Sequence, residues 1–220
     1  MRGHGRDLNL QVPTRLALFF LIGLALTRLG PIWPFKKNLW QAMLLEAGWA
    51  LLFIWAARSV AKSGLTLRIS TRAWRASMIT TGVLLLFVVF RKMEIKFAGL
   101  VYSEDSPLVF LLFIYLMIMP GIAEYLSYRV VIHPRLNDVF GRPWKLLGAQ
   151  VGWGWILTSV IFWAPHAFRV DPQLRLSFHW QTLTMQLIAG AVFGWLRERT
   201  GSVFPAMVAH NLTNVVWTLM

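Results

Sequence analysis

The stretch PLVFLLFIYLMIMPGIAEYLSYRVVI, Pro107 to Ile132, decides the reading of this chain. From Pro107 to Ala123 it carries no charged side chain, and about 20 predominantly apolar residues are enough to cross a bilayer as a helix. A single carboxylate, Glu124, then stands in apolar sequence, and Arg129 follows it. A charged group near the centre of a membrane helix costs about 3 kcal/mol on insertion scales. A chain that tolerates one there points to a polar site inside the membrane.

The rest of the composition agrees. The 220 residues are 57% hydrophobic and 14% charged, with a mean hydropathy of +0.56, well outside the range of soluble domains. The length allows about seven spans with short connections, so the expected fold class is all-α, a polytopic transmembrane bundle forming one domain over residues 1–220. There is no cysteine, which excludes disulfides, thiolate metal sites and a thiol nucleophile. The net charge of +13 does not imply nucleic acid, because the basic residues lie in clusters between apolar runs, where lipid headgroups sit. A leucine-rich run after the polar N-terminus could pass for a signal peptide. Arg28 and the further runs behind it favour a retained first helix.

Seven apolar runs are expected to be helices: Leu16 to Leu29, Leu39 to Ala57, Ser77 to Phe90, Pro107 to Ile132, Leu146 to His166, Phe178 to Leu196 and Val203 to Met220. The first three form the N-terminal spans (16–90), and 107–220 forms the core. Ser63 to Arg75 is basic and partly amphipathic and is expected along the interface. Gly30-Pro31, Gly141-Arg142-Pro143 and Asp171-Pro172 punctuate the loops, and there is no internal repeat. Fourteen Lys and Arg fall on the N-terminal segment and the even-numbered connections, against eight on the others. That bias predicts a cytoplasmic N-terminus. Compact loops and the lack of eukaryotic targeting signals suggest a prokaryotic inner membrane.

Three spaced pairs carry the chemistry. Desolvation of Glu124 suits it to act as a general base, and Pro120-Gly121 upstream is expected to break the helix and free carbonyls. Arg129 lies about 140° round an α-helix from Glu124 and shares its face with Tyr125 instead. Phe162 and His166 are four apart, so ring and imidazole can pack together. His210 and Asn214 are also four apart and point at one neighbour, two donors suited to an oxyanion. Glu124 with His166 could then hold and deprotonate a water.

Glu124-x-x-x-x-Arg129, Phe162-x-x-x-His166 and His210-x-x-x-Asn214, in that order on separate runs, resemble the motifs of the CPBP family. These are the CAAX-protease and bacteriocin-processing intramembrane proteases, also called Abi proteins. The stretch Gly194-Trp195-Leu196-Arg197-Glu198-Arg199-Thr200-Gly201-Ser202, leading to Pro205-Ala206 and His210, is also similar to that family's last two helices. The likeness covers roughly Pro107 to Met220. It implies a glutamate-dependent peptidase in which Glu124 and His166 activate water, His210 and Asn214 form the oxyanion site, and Arg129 and Phe162 support it. The implied substrate is a membrane protein or a lipid-anchored peptide. No cofactor is implied, although Glu124, His166 and His210 could formally bind Zn²⁺. The family usually has two adjacent glutamates. Here the second is Tyr125, at the position that helix geometry pairs with the arginine, so its loss is expected to be structural, with Tyr125 stacking under or hydrogen-bonding near Arg129.

Blander readings compete at each position. Glu124 could snorkel or pair with Arg129, His166 could be interfacial beside Trp163, and His210-Asn211 could be polar glue between helices. His133 reads as interfacial, His4 and His179 as headgroup contacts, Glu46 as a cavity or pairing acid, and the twelve tryptophans as bilayer anchors. A proton-coupled transporter and a non-catalytic scaffold are the alternative functions. The boundaries also conflict with the site. His166 lies ~30 Å along its run from Leu146, whereas Glu124 is only ~12 Å from Ile132. The two can meet only if a helix tilts, breaks, or begins nearer Trp153.

Overall fold

The computed structural model describes residues 48, 71–97, 117–118, 124–170, 175–178 and 180–219. The first two predicted spans (apart from Gly48), Glu46, Pro120-Gly121, His4 and His179 lie outside them. Among the described residues five α-helices dominate: α1 (Thr71–Phe97), α2 (His133–Phe140), α3 (Trp153–Ala167), α4 (Trp180–Thr200) and α5 (Phe204–Leu219). A π-helical segment, Leu126–Ile132, runs directly into α2. Two short antiparallel hairpins interrupt the helices. In the first, β1 (Trp144–Leu146) pairs with β2 (Ala149–Val151); in the second, β3 (Phe168–Val170) pairs with β4 (Leu176–Phe178).

The helical class is as expected, with the hairpins as an addition. Among the described residues one helix is long and apolar enough to cross a membrane alone, Ala73–Met93 within α1, and Trp153–Ala164 in α3 is apolar but shorter. On α1, Met78, Ile79, Val83, Leu86 and Phe90 are all exposed, as a lipid-facing helix requires, while Ala73, Ser77, Leu84 and Val88 are buried. That inner face packs against α4 and α5.

The predicted run Leu146 to His166 is not one helix. Its first residues form the hairpin, whose turn at Leu147-Gly148 has positive φ at both positions, 46° and 78°, the backbone of a tight two-residue turn. The hairpin is tied to the end of α4, with Trp195 Nε1 donating to the Leu146 carbonyl at 3.0 Å and Arg199 Nη1 to the Gly148 carbonyl at 3.1 Å. Likewise Ile132 does not end its helix: the chain stays helical through α2 to Phe140, where Gly141 caps it at φ 75°. These two corrections dissolve the depth conflict. Counted from the shared end of the bundle at a 1.5 Å rise, Glu124 is ~24 Å from Phe140 and His166 ~20 Å from Trp153. Phe178 likewise belongs to β4, and α4 starts at Trp180.

The core joins Tyr125, Tyr128 and Val130 to Phe162 of α3, Ala189, Phe193 and Leu196 of α4, and Ala206 and Ala209 of α5. Glycines let α4 approach closely. A Cβ on Gly190 would lie 3.1 Å from Phe162, and one on Gly194 would lie 2.6 Å from Trp155 and 2.8 Å from Arg129. Small residues four apart at a helix contact are a common way to pack membrane helices tightly.

Candidate active site

Glu124 sits just before the π-helical segment, one residue ahead of its N-cap, Tyr125. In that segment the ring of backbone bonds widens to i→i−5, as in the His133 N–H to Tyr128 carbonyl bond. Such insertions are frequent at functional sites. The Glu124 carboxylate faces α5, where its Oε2 is 3.6 Å from His210 Nε2. The acid side chain is 36% exposed and the imidazole 5%, and the Glu124 Oε2 that faces His210 is itself buried.

His210 is held by aromatic rings. It stacks on Phe193 at 4.9 Å between centroids and meets Phe162 edge-on at 5.6 Å. Phe162 also lies 5.0 Å from the His166 ring. The pairing of Phe162 and His166 read from the sequence is therefore observed, and Phe162 is the spacer that gathers both imidazoles. His166 Nδ1 lies 2.8 Å from the Phe162 carbonyl. A carbonyl only accepts, so Nδ1 carries the proton and Nε2 keeps its lone pair when the ring is neutral. Asn214 lies one turn beyond His210 on α5 and is partly buried.

Arg129 supports this arrangement from the side. It is 1% exposed. Its Nη1 donates to Thr158 Oγ1 at 2.6 Å and its Nη2 to the Gly190 carbonyl at 2.5 Å. Tyr125, also buried, donates through its hydroxyl to the Phe193 carbonyl at 3.1 Å. Tyr125 and Arg129 thus share a face, as expected, but each bonds a different carbonyl of α4. Where Tyr125 was expected to stack under or hydrogen-bond near the guanidinium, its hydroxyl and Arg129 each bond a carbonyl of α4, because that helix is close enough to present them.

His133, expected where the chain leaves the membrane, is turned into the protein. It is buried, with Nε2 2.7 Å from Glu198 Oε1 and Nδ1 3.5 Å from Arg129 Nη1. Glu198 also accepts from Asn137 and, at 3.0 Å, from Arg142 Nε. Burial is the main force on His133 and pushes its pKa down to about 4, against the hydrogen bond to Glu198. Glu198 is pushed up by burial, yet its hydrogen bond with His133 and the Arg142 guanidinium leave it below the usual carboxylate range. The consistent state is a neutral His133 with its proton on Nε2 facing an ionised Glu198 and its Nδ1 lone pair facing Arg129. Sequence reasoning passed over this network. Arg129, His133 and Asn137 recur every four residues, a signal of one polar helix face, but Glu198 comes from a distant helix.

Among the described residues no three carboxylate or imidazole groups gather as a metal-holding cluster.

A helical bundle that brings a partly exposed carboxylate up to a buried imidazole defines a class, the membrane-embedded hydrolases with a polar site between helices. The family model described as type II CAAX prenyl endopeptidase Rce1-like matches residues 106–216. The chain belongs to that family of CAAX proteases, as its motifs implied. No curated protein and no solved structure matches it.

Proposed function

We propose that this protein is an intramembrane endopeptidase that hydrolyses a peptide bond in a membrane-associated protein or lipid-anchored peptide, using Glu124 and His166 to activate water. The observation that carries the reading is the approach of Glu124 to His210, 3.6 Å across two elements, with His166 held against the same Phe162 ring. A 3.6 Å gap is too long for a direct hydrogen bond and leaves both groups able to reach a third species.

In this mechanism Glu124 accepts the proton of a water while the bare Nε2 of His166 orients it. The water oxygen attacks the scissile carbonyl directly, without an acyl-enzyme. His210 and Asn214, one turn apart, donate to the oxygen that becomes negative; preorganised donors of this kind contribute about 10²–10³ in rate each. Glu124 then returns its proton to the leaving amine. Tyr125 and Arg129 take no part in the chemistry and hold the backbone that carries Glu124. The bias of basic residues favours a cytoplasmic N-terminus, and the compact loops favour a prokaryotic inner membrane.

The test compares membranes containing the wild-type protein with membranes containing Glu124→Gln, mapping new C-termini of membrane proteins by mass spectrometry. Cleavage products present only with the wild type are expected. Identical sets of termini from the two would overturn the proposal.

A further inference from the structure

Asn211, the residue after His210, has no role in the chemistry above. It is 7% exposed. Its Nδ2 donates to the main-chain carbonyl of Met117 at 2.5 Å, across 94 positions of sequence. Its Oδ1 is buried with no hydrogen-bond partner among the described residues. An amide oxygen left without a partner is unfavourable in an apolar setting, so an apolar side chain of this size would be more stable here unless the donor half mattered. The orientation is not ambiguous, because only the NH₂ can face a carbonyl.

The location of the acceptor gives the bond its meaning. Met117 precedes Glu124 by seven residues in the same apolar run. Asn211 and His210 are neighbours on α5. The Asn211–Met117 bond and the Glu124–His210 contact are therefore two points on one seam between the same two stretches of chain. On the other side of Glu124, Tyr125 and Arg129 are clamped to α4. Sequence reading offered polar glue as a rival to function for His210-Asn211. The structure divides the pair: one residue faces the acid, the next ties the helices.

We propose that Asn211 is a positioning residue that sets the separation of Glu124 and His210 by anchoring α5 to the Met117 carbonyl. This rests on the catalytic reading of that pair. Loss of the anchor lets α5 slide along the seam, and a misplacement of about 1 Å in a catalytic site can cost about 10²-fold in rate.

The test uses the full-length protein in proteoliposomes and a quenched fluorescent peptide with a farnesylated CAAX terminus. Asn211→Leu is expected to lower kcat about 10- to 100-fold, with KM changed less than about 3-fold. Asn211→Asp keeps the shape and can donate to the carbonyl only when protonated. Its rate relative to wild type should therefore rise as the pH is lowered from 8 to 5.5. Glu124, His166 and His210 are present in both proteins, so the ratio reports the substituted side chain. A merely structural defect would lower both variants equally at every pH, and that result, or wild-type kcat in Asn211→Leu, overturns the proposal. Glu124→Gln is assayed alongside. If it cleaves at the wild-type rate the catalytic reading fails; if it is inactive while Asn211→Leu is not, only the anchor fails.

Discussion

Acid should destabilise this protein through His133 in a way that one substitution removes. The imidazole is buried beside Arg129 and bonded to Glu198, and its pKa in the fold is about 4 against about 6.5 in an unfolded chain. Between those values the unfolded chain binds the proton and the folded one does not. The contribution of the neutral ring is thus fully present above about pH 6.5 and is lost as the pH falls toward 4. At 1.36 kcal/mol per pKa unit, it amounts to about 2 kcal/mol lost at pH 5 and about 3 kcal/mol at pH 4. Glu198, held below the usual carboxylate range, adds to the same trend at the acid end. In His133→Gln the amide can still donate to Glu198 but cannot titrate. Denaturation in detergent, followed by tryptophan fluorescence at pH 7.5 and pH 5, should show the wild type losing about 2 kcal/mol more than the variant. Parallel losses in the two proteins would refute the neutral, buried His133 from which the figure derives.

Other outcomes follow from the same geometry. Thr158→Val removes the Arg129 acceptor at 2.6 Å and should cost about 1–3 kcal/mol of stability, measured by denaturation. Gly194→Ala places a methyl 2.6 Å from Trp155 and 2.8 Å from Arg129, and a loss of about 1–3 kcal/mol is expected in the same assay. Tyr125→Phe deletes the bond to the Phe193 carbonyl; it should cost about 1 kcal/mol and leave kcat near wild type, since the hydroxyl is directed at α4 and not at the site. Glu124→Gln should reduce peptide cleavage by about 10²–10⁴-fold with the fold intact, checked by circular dichroism.

The differences between sequence reading and structure have particular causes. Hydropathy placed one helix over Leu146 to His166 because Leu146, Leu147 and Val151 are as apolar as helix residues. Only pairing across the Leu147-Gly148 turn separates a strand hairpin from a helix there, and a short apolar run does not reveal its partner. His133 read as interfacial because it follows an apolar run, but its burial depends on Glu198, which is 65 residues away. Tyr125 was correctly placed on the face of Arg129, since that follows from helical period alone. Its bond partner was not legible, because the nearest carbonyl belongs to a different helix.

By itself the sequence determined what composition and period can carry: a helical membrane protein, the identity of its family, and which side chains share a face within each helix. Those are local properties, set by hydrophobicity and by 3.6 residues per turn. Tertiary structure alone decided which faces meet. Close packing at Gly190 and Gly194 brings α4 against Arg129 and Phe162, and the continuation of the helix past Ile132 matches the depths of Glu124 and His166. Contacts of that kind depend on distances between segments far apart in the chain, to which no local pattern is sensitive.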